Sequence, residues 1–215
     1  MPLVNVIAAI VVLLIIGIES THKEHLVTNA KLPTREEYSN ELKLMPVYMQ
    51  LGKDVNFGIT PEDILDQTLD LLRVGPNSIV CDVGCGDGRT LIKAAQRGAI
   101  GWGVESSELR YKFARELVVK FGLEDKITIV HGDYRDTVMP REFSHLITFL
   151  WPQVTERVIA YSRQFSNSFK VASVSHQLEF ADCVSKHVFH STAFDTFGNP
   201  QGKATPWNVY TCQIS

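Results

Sequence analysis

This chain of 215 residues has only four cysteines, Cys81, Cys85, Cys183 and Cys212, and no two of them form a C-x-x-C pair. Zinc sites lose their usual ligand spacing without such pairs, no disulfide framework is expected, and a reducing compartment is the natural setting. An excess of one charge is also lacking, because 21 basic residues stand against 24 acidic ones and no basic tract occurs. Tracking a phosphate backbone requires clustered Lys and Arg, so nucleic acid is not an expected partner. His187 and His190 alternate poorly with the apolar residues around them and have no third ligand nearby, so no metal site is expected there. Neither an internal repeat nor a low-complexity tract is visible. What remains suits one domain with an appendage, long enough to bury a sizeable core.

The stretch around which the chain is organised reads Ile79-Val-Cys-Asp-Val-Gly-Cys-Gly-Asp-Gly-Arg89. A short run rich in β-branched residues ends in Asp82 and a glycine loop, and a helical pattern follows at once, the signature of strand, tight turn and helix N-terminus. Gly84, Gly86 and Gly88 fall at alternate positions, whereas the dinucleotide fingerprint G-x-G-x-x-G needs its third glycine where Arg89 stands. Asp87 inside the loop would repel a pyrophosphate but tolerates a cation. S-adenosylmethionine (AdoMet) satisfies both conditions, since its sulfonium is positive, it carries no phosphate, and glycine lets the backbone approach its aminocarboxypropyl arm. Asp82 is then placed to anchor the loop or to accept from the ligand's ammonium. The next strand, 100–105, ends in Glu105, nineteen residues beyond Gly86, where a carboxylate with two oxygens matches a vicinal ribose diol.

These residues resemble the class I AdoMet-dependent methyltransferases, whose first motif runs apolar-apolar-apolar-Asp-x-Gly-x-Gly-x-Gly. The resemblance implies roles for later residues. Residues 126–133 form a third strand closing on Gly-Asp-Tyr, where Asp133 would accept from the adenine amino group and Tyr134 would flank the purine. Residues 145–153 form a fourth strand whose end would line the acceptor pocket, with Phe149, Trp151 and Pro152 as candidates and no general base named. The Asn/Asp-Pro-Pro-Tyr/Phe motif of amide and nucleobase-amino methylases is absent.

Ahead of the loop, residues 3–18 carry no charge. As a helix they would span about 24 Å at roughly 1.5 Å per residue, a marginal match to a hydrocarbon core of ~30 Å. A membrane anchor over 1–20 is the expectation. The rival signal peptide lacks Lys or Arg before the apolar run and a small-residue cleavage pattern after it, while a buried helix would have to be apolar on every face. Residues 21–53 read as a juxtamembrane linker and lid helix, and 54–215 as the catalytic domain. Thr60 is the expected N-cap of a helix through Leu72, with Pro61 at its first position; Phe57 and Thr60 would also cover the cofactor's methionine end.

Helices are further expected over 90–97, 107–121 and 154–164, and strands over 169–175, 186–190 and 207–214. The expected fold is α/β, Rossmann-like and doubly wound: a mostly parallel seven-stranded sheet with an antiparallel C-terminal strand, plus the N-terminal apolar helix. Together with Phe57-x-x-Thr60-Pro61 and Pro152-Gln153, the pattern is similar to the membrane-anchored protein-lysine methyltransferase family that includes the ATP synthase c-subunit lysine methyltransferase. That resemblance implies a lysine side chain of a protein substrate as acceptor. It also implies membrane attachment through the N-terminal helix, with the catalytic domain facing cytosol or an organelle matrix, since AdoMet is intracellular. A small or lipid-like acceptor, or a non-catalytic methyltransferase-like membrane subunit, stands as the alternative.

Overall fold

The computed structural model describes residues 30–32, 59–178, 184–193 and 204–215. The expected anchor, linker and lid helix lie outside these, apart from residues 30–32, and so does Phe57. Among the described residues no helix is long and apolar enough to cross a membrane.

Seven strands form one sheet: β1 (Ile79–Val83), β2 (Ile100–Glu105), β3 (Ile127–His131), β4 (His145–Thr148), β5 (Phe169–Val174), β6 (Ser185–Ser191) and β7 (Thr205–Ile214). Their order is β3-β2-β1-β4-β5-β7-β6. The first five run parallel, and β7 pairs antiparallel with both β5 and β6. Strand order therefore reverses between β1 and β4, and in open α/β sheets the crevice beyond the carboxyl ends at such a point is where ligands bind.

Among the described residues four α-helices flank the sheet: α1 (Glu62–Leu72), α2 (Arg89–Gln96), α3 (Glu108–Lys120) and α4 (Pro152–Ser162). Ile64 and Leu69 of α1, Leu91 and Ile92 of α2, and Ala114 and Leu117 of α3 share one core with Val80, Ile129 and Ile147. On the opposite face Val158 and Ile159 of α4 pack with Cys81, Val83, Val104 and Leu146. Consecutive residues of β1 thus face different cores, and the near-continuous apolar run of this strand reflects burial on both sides.

The helix starts differ from expectation most at α4, which begins at Pro152, two residues before the expected 154, and α1 begins one residue late. Pro61, extended at φ −57° and ψ 147°, takes the N-cap position of α1 without a side-chain cap, so Thr60 lies one residue outside the helix. The first turn carries Glu62 and Asp63 instead, which suit the positive end of the helix dipole. At the other end, the Leu72 carbonyl accepts from Lys170 Nζ at 2.7 Å and lies 3.1 Å from His145 Nε2, so the last turn is tied to β4 and β5. The α3 N-cap is Ser107, whose side chain accepts from the Arg110 N–H.

Cys81 and Cys85 are buried free thiols. Cys212 on β7 is held in a disulfide, and its partner falls outside the described residues. The expected absence of disulfides is corrected to that extent: spacing along the chain says nothing about two cysteines that the fold brings together.

Gly103 sits where β2 passes beneath the start of α2. A Cβ built there would lie 2.7 Å from Leu91 Cδ1 and 2.9 Å from Cys85 Sγ, closer than real side chains approach. Gly103→Ala is therefore expected to cost about 1–3 kcal/mol through overpacking, read as a lower urea midpoint at unchanged slope.

Candidate active site

The turn from β1 into α2 is built on left-handed backbone. Gly84, Gly86 and Gly88 have φ of 75°, 58° and 77°, a region closed to most side chains, so the alternate glycines serve the turn itself. The Gly84 and Cys85 N–H groups both donate to the Val104 carbonyl, at 2.8 and 3.1 Å, which ties the loop to the end of β2. Gly84 stands exposed while its neighbours Val83 and Cys85 are buried, so its main chain lies open at the carboxyl edge of the sheet.

Glu105 reaches under this loop. Its carboxylate, 3% exposed, accepts from the Gly86 N–H on Oε2 at 2.9 Å. On Oε1 it accepts from the Ser107 N–H at 2.8 Å and from Arg110 at 3.1 Å. One side chain thus fixes the glycine loop, the start of α3 and a buried arginine. Three of the roughly four lone-pair positions of a carboxylate are used, and the remaining one is on Oε2.

Asp87 behaves differently from the sequence argument. Its carboxylate is buried and pairs with Arg89 Nε at 2.8 Å, and Arg89 also donates from Nη1 to the Thr60 carbonyl at 3.1 Å. The negative charge of Asp87 is therefore balanced within the loop, two residues away, and does not select a cationic ligand by itself. Thr60 acquires its place through the same arginine, since its carbonyl, not its hydroxyl, docks the segment before α1 against the glycine loop.

The site as a whole still carries more acid than base. Asp82, Asp87 and Glu105 are all buried here, against the two buried guanidiniums of Arg89 and Arg110. The excess acid falls on Asp82, whose carboxyl is pushed up to about 7 by burial, with Glu105 and Asp87 adding repulsion and a hydrogen bond from Thr90 opposing them. A site with one acid in surplus, beside open backbone, fits a ligand of net charge +1 such as AdoMet at neutral pH.

On the other flank, Asp133 spends its carboxylate on the side chain and N–H of Arg135, which hold it below the usual carboxylate range. Tyr134 packs edge-on against Tyr161, with ring centroids 5.5 Å apart. Both are accounted for by local contacts. His131 stacks on Tyr111 at 5.2 Å.

Beyond β4 the chain turns back across the glycine loop, and a Cβ built on Gly84 would lie 3.1 Å from Leu150 Cδ2. Trp151, half exposed, takes the N-cap position of α4, and Pro152 is the first helical residue, as its fixed φ and missing N–H favour. The Phe149 and Trp151 rings converge on a residue that the sequence reading did not single out. His176 lies 4.9 Å from Trp151 and 5.9 Å from Phe149 between ring centroids, and Phe149 also meets Trp207 at 6.0 Å. No spacing rule could connect residue 176 to residue 151; the adjacency of β4 and β5 does.

Comparison with known proteins agrees with this architecture. The family model described as mycolic acid cyclopropane synthetase matches residues 60–159. A probable cobalt-precorrin-6B C(15)-methyltransferase of Methanococcus maripaludis is 25% identical over 133 residues, 57% of this chain and 73% of that protein. A protein-lysine N-methyltransferase of Saccharolobus islandicus is 35% identical over 79 residues, 35% of this chain and 48% of that one. Among solved structures, an RNA methyltransferase from Salinibacter ruber in complex with S-adenosyl-L-homocysteine superimposes with a TM-score of 0.58 at 26% identity, covering 73% of this chain and 93% of its own.

Proposed function

Starting from a chain that has the class I AdoMet-dependent methyltransferase fold and uses AdoMet, we propose that it transfers the methyl group to a lysine amine of a protein substrate at a membrane. The observation that carries the cofactor's placement is the clamp of Glu105 on Gly86, beside the open main chain of Gly84. When bound, AdoMet supplies an electrophilic methyl on a cationic sulfur. The exposed backbone at Gly84 would hold its aminocarboxypropyl arm, Asp82 would answer its ammonium, and Glu105 would take a ribose hydroxyl on the free position of Oε2. A second hydroxyl would have to displace Arg110. Asp133 and Tyr134 are the residues nearest in sequence to where the adenine would lie, beyond β3, and Phe57 and Thr60 would cover the methionine end.

Methyl transfer to an amine asks mainly for position, because holding the nitrogen near 3 Å from the methyl with its lone pair aligned supplies several kcal/mol. Phe149, Trp151 and Pro152, on the β4 side of the glycine loop, form the wall against which the amine would lie. An aromatic face attracts an alkylammonium and its low polarity favours the neutral amine that reacts. The 35% identity to a protein-lysine N-methyltransferase supports lysine. Attachment through residues 3–18, with the domain facing cytosol or an organelle matrix, completes the proposal.

A lipid-like acceptor is the second reading, favoured by the match to a mycolic acid cyclopropane synthetase model. Membranes from cells with and without this gene, labelled with radioactive methyl donor and separated into protein and lipid, distinguish the two. Loss of a methyl-lysine from a membrane protein supports the lysine reading. Loss of label from lipid alone contradicts it.

A further inference from the structure

The carboxyl edge of the sheet presents, in spatial order, Glu105 at the end of β2, the glycine loop after β1, Phe149 to Trp151 after β4, and Ser175-His176 after β5. Glu105 and the loop account for the cofactor's sugar and amino-acid parts. The acceptor must then approach from the β4 and β5 side, where β5 lies about 10 Å from β1 at a strand spacing of roughly 4.8 Å.

His176 is held there with unusual care for a residue just past a strand. The preceding Ser175 is one of only three non-glycine residues with positive φ among the described residues, at 66°, and its N–H donates to the Asn208 carbonyl at 2.7 Å. The Ser173 hydroxyl donates to the carbonyl of His176 itself at 2.6 Å. Thr148 and Ser173 are directly paired across β4 and β5, so the two strand ends that carry Trp151 and His176 are in fixed register. A left-handed serine is strained and persists where surrounding structure demands it, typically at functional sites. Its effect is to turn the chain so that the imidazole meets the rings of Trp151 and Phe149.

Within the described residues the cluster of Phe149, Trp151, His176 and Trp207 brings together three aromatic hydrocarbon faces and one ring with a polar edge. Partial burial lowers the affinity of that imidazole for a second proton and so favours the neutral ring, which keeps one nitrogen as an acceptor. An aromatic wall alone would hold an alkyl group in any rotation. A neutral imidazole beside the wall adds direction, because an amine donating one N–H to the ring has its lone pair turned elsewhere.

We propose that His176 is the hydrogen-bond acceptor that binds and orients the substrate amine, with Trp151 and Phe149 as the flanking walls. This assignment rests on the cofactor lying at the glycine loop, as proposed above, and concerns the same site. It makes His176 a determinant of acceptor class: amines are received, whereas an acceptor without an N–H donor gains nothing from the ring.

The test requires no knowledge of the natural substrate. The probe is an adenosine-based bisubstrate analogue in which a nitrogen replaces the sulfonium and carries an aminobutyl arm, compared with S-adenosylhomocysteine, which has no arm. Calorimetric titrations of the full chain are expected to show the arm strengthening binding at least tenfold in the wild type. His176→Phe keeps a flat ring against Trp151 but removes the acceptor, and should abolish that gain while leaving S-adenosylhomocysteine affinity within twofold. His176→Asn restores a hydrogen-bond acceptor and should recover part of the gain. The proposal is overturned if the arm adds nothing in the wild type, if His176→Phe retains the gain, or if His176→Asn loses it as completely as His176→Phe. Failure of S-adenosylhomocysteine itself to bind the wild type would instead remove the cofactor assignment, and this inference with it.

Discussion

Glu105→Ala is expected to abolish AdoMet binding and to destabilise the fold by roughly 3–5 kcal/mol. The wild-type carboxylate accepts from the Gly86 N–H, the Ser107 N–H and Arg110 while almost wholly buried. Truncation leaves two main-chain donors without this acceptor and removes the counter-charge of a buried guanidinium, the costly way to break such a pair. Glu105→Gln separates the two effects. Its single amide oxygen can still accept from the Ser107 N–H and Arg110, but its NH2 then faces the Gly86 N–H and the counter-charge of Arg110 stays lost, so only part of the stability should return. AdoMet affinity should stay at least tenfold down, because an NH2 in the Oε2 position no longer accepts from the ribose. Urea unfolding and calorimetric titration on both variants read the two quantities. Wild-type stability and affinity in Glu105→Ala would contradict the clamp.

The second large effect belongs to Asp82. Its carboxyl titrates near 7 in the folded, ligand-free protein, far above the range near 4 of an unfolded aspartate. Between those values the folded state holds a proton that the unfolded state has lost, so this group's contribution to stability falls as pH rises from about 4 to about 7 and is flat beyond. By pH 8 the cost approaches about 4 kcal/mol. Asp82→Asn removes it. The variant should therefore gain stability relative to the wild type as pH rises from 5 to 8, seen as a widening difference in Tm. The same substitution should weaken AdoMet binding at least tenfold at pH 8 and much less at pH 5.5, where the wild-type carboxyl is itself neutral. A pH-independent difference in either quantity would show that Asp82 does not carry the site's surplus charge. Stability sacrificed at a ligand site in this way is common where groups are held in readiness for a partner.

The contrast between Asp82 and Asp87 shows which part of the site was legible in the chain. Both are acids of the same loop, and sequence gives each a charge and a place relative to the glycines. Sequence does not give burial. Arg89, read only as the residue excluding a dinucleotide fingerprint, turns out to neutralise Asp87 and to hold the Thr60 carbonyl. Strand and helix identities were recoverable because α-helices follow β1, β2 and β4 while β3 runs into β4 without one, and glycine at alternate positions announces a tight turn. The meeting of Trp151 with His176 was not, since it depends on β4 and β5 becoming neighbours, and neither was the Cys212 disulfide, since spacing along the chain does not reveal it. Thr60 illustrates a smaller failure. Threonine before proline reads equally well as N-cap and N1 or as a residue outside the helix, and here proline, extended, takes the cap.

The central claim is that AdoMet lies across the carboxyl ends of β1 and β2, with its amino-acid arm on the main chain of Gly84 to Gly86 and its ribose at Glu105. A crystal structure of the protein with S-adenosylhomocysteine tests it directly. The predicted result is a ribose hydroxyl within hydrogen-bond distance of Glu105 and the ligand's ammonium near Asp82. A ligand bound elsewhere, or a ribose held by other residues while Glu105 keeps only its protein partners, would contradict it.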